Sequence, residues 1–208
     1  KFYNELAGNE YIIYADNSEI MPMSVKFSFK MINLKSSIAN DENIVIPADT
    51  KRFLVAKITP LNPREGNQFS YTTTFNFGNA AQETFDEDYL YSLPFGKGKT
   101  HLIYQGYYGK FSHQKDAALD FDMKIGDPVY AAREGTVVLT EDSNLQGCPK
   151  ISCAKFNNKV LIMHNDGTFA DYAHLKYKGV AVKKGDEIKK GQRIGYSVNT
   201  GYSSGTHL

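Results

Sequence analysis

Apolar and polar residues alternate with a period of two through much of the first half of the chain. Val25, Phe27, Phe29 and Met31 interleave with Ser24, Lys26, Ser28 and Lys30, and Phe69, Tyr71, Thr73, Phe75 and Phe77 interleave with Ser70, Thr72, Thr74 and Asn76. Side chains on a strand point alternately to opposite faces, so each run predicts a strand with one buried and one wet face. Tyr11–Tyr14, Asn43–Ile46 and Arg52–Ile58 are further strand candidates, separated by polar turns such as Asn40-Asp41-Glu42 and Pro63-Arg64-Glu65-Gly66-Asn67. No long stretch carries a 3.6-residue apolar period, so several short antiparallel strands predict a β-sandwich-like domain over residues 1–90. With no His or Cys among them, these residues read as an accessory domain.

The polar, acidic stretch Ala80–Leu90 marks the boundary, with Asp86-Glu87-Asp88 read as a solvated linker face. Residues 91–208 are again β-rich, with strands expected at Pro128–Ala132, Gly135–Thr140, Lys159–His164, Phe169–His174 and Gln192–Ser197. Gly126-Asp127, Asn165-Asp166-Gly167 and Lys184-Gly185-Asp186 are the turn signals between them. Ile125-Gly126-Asp127-Pro128-Val129 is echoed by Lys184-Gly185-Asp186-Glu187-Ile188, as duplication of a small β-unit would leave it.

Composition narrows the function classes. The 208 residues carry a net charge of +1, with −2 over residues 1–100 and +3 over the remainder, so no basic face marks a nucleic-acid partner. No apolar run is long enough to predict a membrane span. Two cysteines are too few to build a disulfide scaffold.

Four of the five histidines lie beyond residue 110. Asp120 stands between Leu119 and Phe121, and a carboxylate within an apolar strand calls for a partner or a metal. Imidazole and carboxylate are both good zinc ligands, which makes His113 and Asp120 a candidate pair. Asp116, the competing carboxylate, is better explained as part of a solvated turn. His174 ends the strand that includes Tyr172, and His207 follows the Gly/Ser loop Gly201–Thr206, which lets backbone approach a ligand closely. Spacing alone therefore points to a metal site at His113, Asp120, His174 and His207, with His164 left aside as a strand-end residue.

These residues carry a family resemblance. Ser112-His113 is followed by Ala118-Leu119-Asp120-Phe121, then Gly126-Asp127-Pro128-Val129-Tyr130-Ala131-Ala132 and Gly135-Thr136-Val137-Val138. Tyr172-Ala173-His174-Leu175, Lys190-Gly191-Gln192-Arg193-Ile194-Gly195, Asn199-Thr200-Gly201 and Gly205-Thr206-His207-Leu208 come after, in order. Residues from about 94 to 208 thus resemble the lysostaphin-type (LytM-like) zinc endopeptidases that cut peptide cross-links in bacterial cell walls. The resemblance implies a duplicated-hybrid-motif β-sheet peptidase domain at 91–208, behind the β-sandwich-like one. It implies zinc held by His113 and Asp120, with His174 and His207 catalytic, and hydrolysis of peptidoglycan stem or cross-bridge peptides by a zinc-activated water. The family's terminal His-x-His places the third ligand one residue beyond Leu208, so the domain is expected to be C-terminally incomplete here. Asn199 and Tyr202, with Tyr107 and Tyr108, are candidates to line a substrate groove.

A lipoyl- or biotinyl-type carrier would need a lysine in a tight exposed hairpin, a context Lys183-Lys184 and Lys189-Lys190 lack. The rival reading is a catalytically inactive cell-wall-binding or hydrolase-regulating protein of the same fold. Cys148 and Cys153 are close enough in sequence for a disulfide, and two thiols alone make a poor second metal site. A disulfide, a wall substrate and a start at Lys1, as signal-peptide removal or trimming would leave it, fit an exported protein of the periplasm, cell envelope or extracellular space.

Overall fold

The computed structural model describes residues 1–110 and 112–208. It is nearly all β, 43% strand and 3% helix. The chain divides into two compact units, Lys1–Phe85 and Asp86–Leu208.

Among the described residues the first unit holds strands β1 (Phe2–Ala7), β2 (Glu10–Asn17), β3 (Met23–Ile32), β4 (Leu34–Ser36), β5 (Asn43–Ile46), β6 (Thr50–Pro60) and β7 (Gln68–Phe77). They form two antiparallel sheets, ordered β1-β2-β6-β4 and β5-β3-β7. The two alternating runs of the sequence, β3 and β7, pair over their full length from Met23 opposite Phe77 to Ile32 opposite Gln68. In β3, Val25, Phe27 and Phe29 pack with Ile13, Ala15, Val55, Ala56 and Ile58 of the other sheet. In β7 only Phe69 and Tyr71 pack against this core, and the expected buried face ends there, with Phe75 and Phe77 exposed. Phe27 is fully buried and meets Phe2 edge-on at 5.1 Å between ring centroids. Each large apolar side chain buried this way contributes about 1.5–3 kcal/mol.

The second unit contains β8 (Ile103–Gln105), β9 (Asp120–Phe121), β10 (Pro128–Tyr130), β11 (Gly135–Glu141), β12 (Gly147–Cys148), β13 (Lys159–Met163), β14 (Phe169–Tyr172), β15 (Glu187–Ile188), β16 (Arg193–Tyr196) and β17 (Gly201–Tyr202), with a 3₁₀ turn at Ile151–Phe156. The main sheet is antiparallel, ordered β14-β13-β11-β15, and β10 pairs with β16. Val129, Val137, Val160, Ile162, Leu175 and Ile194 lie at the centre of its core, each essentially inaccessible to solvent. No helix among the described residues is long and apolar enough to cross a membrane.

The repeated Gly-Asp pattern has a structural counterpart, and it occurs three times. In Lys124-Ile125-Gly126-Asp127 the Asp127 N–H donates to the Lys124 carbonyl, and the Lys124 N–H donates to the Asp127 carboxylate. Lys183–Asp186 and Lys189–Gln192 repeat both bonds, with Gln192 Oε1 standing in for the carboxylate. The third residue of each turn is a glycine with φ between +78° and +93°, as a type II turn requires. Each turn then docks reciprocally. Its glycine N–H donates to the carbonyl of Ser197, Val137 or Ala131, and that residue's N–H returns a bond to the fourth residue of the turn. Short strands that could not stand alone are held in register this way.

Candidate active site

One end of this β framework gathers the candidate residues. Gln105 and Asp120 are partners across the β8–β9 pair. The last residues of the chain run alongside: Phe121 and Leu208 exchange both backbone hydrogen bonds, and Asp122 bridges His207. This pairing sets His207 beside Asp120, at 4.0 Å from Nε2 to Oδ1. His113 reaches the same carboxylate oxygen, with Nε2 3.1 Å from Oδ1.

His174 departs from its expected position at a strand end. Strand β14 stops at Tyr172, and His174 lies two residues further on, in the left-handed region with φ +58°. A non-glycine residue there needs outside support. Asn157 Oδ1 accepts the His174 N–H at 2.8 Å, and Val198 donates to the His174 carbonyl at 3.0 Å. The turn brings the ring to 4.5 Å, centroid to centroid, from that of His207.

The backbone also fixes which imidazole nitrogen is available. A carbonyl oxygen only accepts, so a ring nitrogen facing one carries the proton. Nδ1 of His113 faces the Gly106 carbonyl at 3.3 Å, Nδ1 of His174 that of Thr200 at 2.5 Å, and Nδ1 of His207 that of Gly205 at 2.8 Å. In the neutral rings of His174 and His207, Nε2 therefore keeps its lone pair. Burial holds the His174 imidazole below its ordinary pKa, against the opposing effect of the Thr200 bond. A neutral ring with an open Nε2 is a competent proton acceptor.

At His113 the Gly106 contact is the longest of the three, and Nε2 lies closer, at 3.1 Å, to Asp120 Oδ1. Nε2 can donate its proton to that carboxylate or, with the proton on Nδ1, turn its lone pair toward a cation shared with Oδ1. Two ligands on a tetrahedral zinc, at bond lengths of about 2.0–2.1 Å, stand about 3.3 Å apart, so this donor pair fits two corners of such a site. Among the described residues, no group of three or more His, Cys, Asp or Glu side chains is placed to hold a metal ion.

His113, Asp120, His174, His207 and Tyr202 all line one pocket of about 410 Å³. Asn199 is not among its lining residues; its Oδ1 is buried and has no hydrogen-bond partner among the described residues. Tyr107 and Tyr108 are exposed, 59% and 65%, and do not line the pocket either. Tyr104, Gln105, Pro149 and Ser203, which no sequence feature marks as site residues, also line it. Pro149 lies in the loop closed by the Cys148–Cys153 disulfide, the one feature in the sequence that could have drawn attention to it. His164, set aside in the sequence reading, is buried elsewhere, its Nδ1 against the Glu134 carbonyl at 2.6 Å.

Residues 114–208 match the description of peptidase family M23. The catalytic domain of the antimicrobial peptidase lysostaphin from Staphylococcus simulans is 35% identical, in an alignment that covers 51% of this chain and 73% of that one, with a TM-score of 0.39. The solution structure of lysostaphin is 33% identical over 51% of this chain, which spans 41% of that longer chain, with a TM-score of 0.38. A zinc-containing peptidase from Vibrio cholerae is 18% identical, with 97% of this chain and 74% of that one covered and a TM-score of 0.43. A search of curated proteins returns no match. Family match and sequence identity together define a peptidase unit in the second half of the chain. The chain belongs to peptidase family M23, the lysostaphin-type (LytM-like) peptidases.

Proposed function

We propose that the protein is a zinc-dependent endopeptidase that hydrolyses peptide bonds in peptidoglycan stems or cross-bridges. The observation that carries this reading is the approach of His113 Nε2 and Asp120 Oδ1, both zinc-ligand types, to 3.1 Å on the wall of a pocket that also holds the His174 and His207 rings. His113 and Asp120 would hold the metal. Zinc would supply Lewis acidity toward a peptide carbonyl and lower the pKa of water toward neutrality.

The remaining work falls to the chain's own residues. His174 Nε2 is ready to take a proton, because its Nδ1–H is committed to the Thr200 carbonyl and burial disfavours the charged ring. His207, tied in the same way to Gly205, lies close enough to take that proton in turn and, once protonated at Nε2, to donate toward developing negative charge on the substrate oxygen. Tyr202 and Pro149 would flank an extended peptide. Of the two substrate-binding candidates, the pocket wall supports Tyr202, and Asn199 would act from beneath it. The Cys148–Cys153 disulfide supports an exported setting, in the periplasm, envelope or extracellular space. The first unit would then serve as an accessory domain.

Digestion of purified peptidoglycan by the zinc-loaded protein tests this reading. New amino termini are expected, and none, with zinc demonstrably bound, would refute it. His113→Ala and Asp120→Ala should lose the metal, whereas His174→Ala should retain it and lose turnover. The second reading, a wall-binding or hydrolase-regulating protein without turnover, draws on the two-donor count among the described residues. Wall binding without new amino termini would favour it.

A further inference from the structure

Asp120 uses its two carboxylate oxygens differently. Oδ1 faces His113 and His207, and Oδ2 accepts a hydrogen bond from Gln105 Nε2 at 3.1 Å. The same amide reaches the loop that carries His113: Nε2 donates to Ser112 Oγ at 2.8 Å, and Oε1 accepts the Ser112 N–H at 3.1 Å. The amide's orientation follows from its partners, since a carboxylate can only accept and a backbone N–H can only donate. Gln105 faces Asp120 across the β8–β9 pair, so the backbone register sets this contact.

The packing is equally specific. A Cβ added at Gly109 would come within 2.3 Å of Gln105 Cγ, so this loop closes over the Gln105 stem only because residue 109 is glycine. Asparagine, one methylene shorter, would not span the distance. Glutamate would replace the donor with a second carboxylate beside Asp120.

A carboxylate's terminal torsion is broad, so Asp120 held only through its own stem would rotate away from His113. Groups that bond a ligand's far atom orient it, and their removal typically weakens metal binding about 10- to 100-fold. We infer that Gln105 is a positioning residue, one that turns Asp120 Oδ1 toward His113 and ties both donors into a single unit competent to bind a divalent cation. The cation-binding part of this inference rests on the zinc reading given above; the tether itself does not.

The test compares wild type with Gln105→Met, which fills the space of the stem and removes the amide, and with Asp120→Ala. Zinc affinity is measured by competition with a chromophoric chelator. Amide hydrogen exchange at Ser112 is measured in the metal-free protein, and urea unfolding is recorded for each variant. Gln105→Met is expected to weaken zinc about 10- to 100-fold, as removal of such a partner does, and to raise Ser112 exchange about fivefold, as loss of one hydrogen bond does, with an unfolding midpoint close to wild type. Unchanged zinc affinity in Gln105→Met, alongside its loss in Asp120→Ala, would overturn the inference and leave the zinc reading standing. If the wild type takes up no zinc, the zinc reading fails and the exchange decides the tether: faster exchange supports it, unchanged exchange overturns it. A fall in stability with no change in zinc affinity or exchange would also overturn it, by reducing Gln105 to a packing residue.

Discussion

Asn158, fully buried beneath the site, offers the most direct test of how the fold holds His174. Its Nδ2 donates to the carbonyls of Asn144 at 2.8 Å and Leu175 at 3.0 Å, and its Oδ1 accepts the Asn144 N–H at 3.0 Å. Its own carbonyl accepts the Leu175 N–H, while the neighbouring Asn157 side chain takes that of His174. Asn157 and Asn158 together thus support the turn that sets His174 at positive φ. Replacing Asn158 by Ala removes the side-chain bonds and leaves a small void. The Leu175 carbonyl keeps a bond from Thr200 Oγ1, and Asn144 is only partly buried, so its groups regain water. At about 1 kcal/mol net for each of the three bonds to backbone groups, with smaller contributions from the void and from the Asn144 Nδ2 bond to Oδ1, the loss should be about 3–4 kcal/mol. With a urea m-value of about 2 kcal/mol/M, the midpoint should fall by about 1.5–2 M. Asn158→Asp is a near-isosteric control, expected to be at least as damaging at neutral pH because it turns a donor into an acceptor facing two carbonyls. A loss below about 0.5 kcal/mol for Asn158→Ala would refute the reasoning, since an unmade buried bond should cost more than that.

Two further outcomes follow from other parts of the second unit. Burial alone would raise the Asp166 pKa, but hydrogen bonds from Thr168, from the Asp86 amide and from Arg133 hold it well below the usual carboxylate range. A folded-state pKa below the unfolded one gives stability that is complete above the ordinary Asp value and is lost as pH falls beneath it. Denaturation curves between pH 5 and 2 should therefore slope less in Asp166→Asn than in wild type, and identical slopes would refute that assignment. Cys148 and Cys153 close a loop with a sequence separation of five, so replacing both by Ala should cost about 2 kcal/mol on chain-entropy grounds, read by the same urea assay.

How much of this could be read from the sequence depended on element length. β3 and β7 are ten residues each, and a period of two is unmistakable at that length. β8, β9, β12 and β17 have two or three residues and show no period; their pairing is decided by distant partners. The candidate site divides the same way. Local motifs point to His113, Asp120, His174, His207 and Tyr202, and the fold brings them to one pocket. Gln105 carried no local signal, because its role comes from lying opposite Asp120 in a pairing fifteen residues away. Asn199 lies near the same motifs, but its Oδ1 is buried and the residue does not line the pocket.

The disulfide-closed loop has a further consequence for engineering. It places Pro149 on the pocket wall, while its ends are anchored independently: β12 pairs with β17, and the disulfide returns the chain to the 3₁₀ turn. The residues between the two cysteines thus form a cassette. Substitutions there would reshape the rim facing an incoming peptide while the β12–β17 pairing and the disulfide continue to hold the ends.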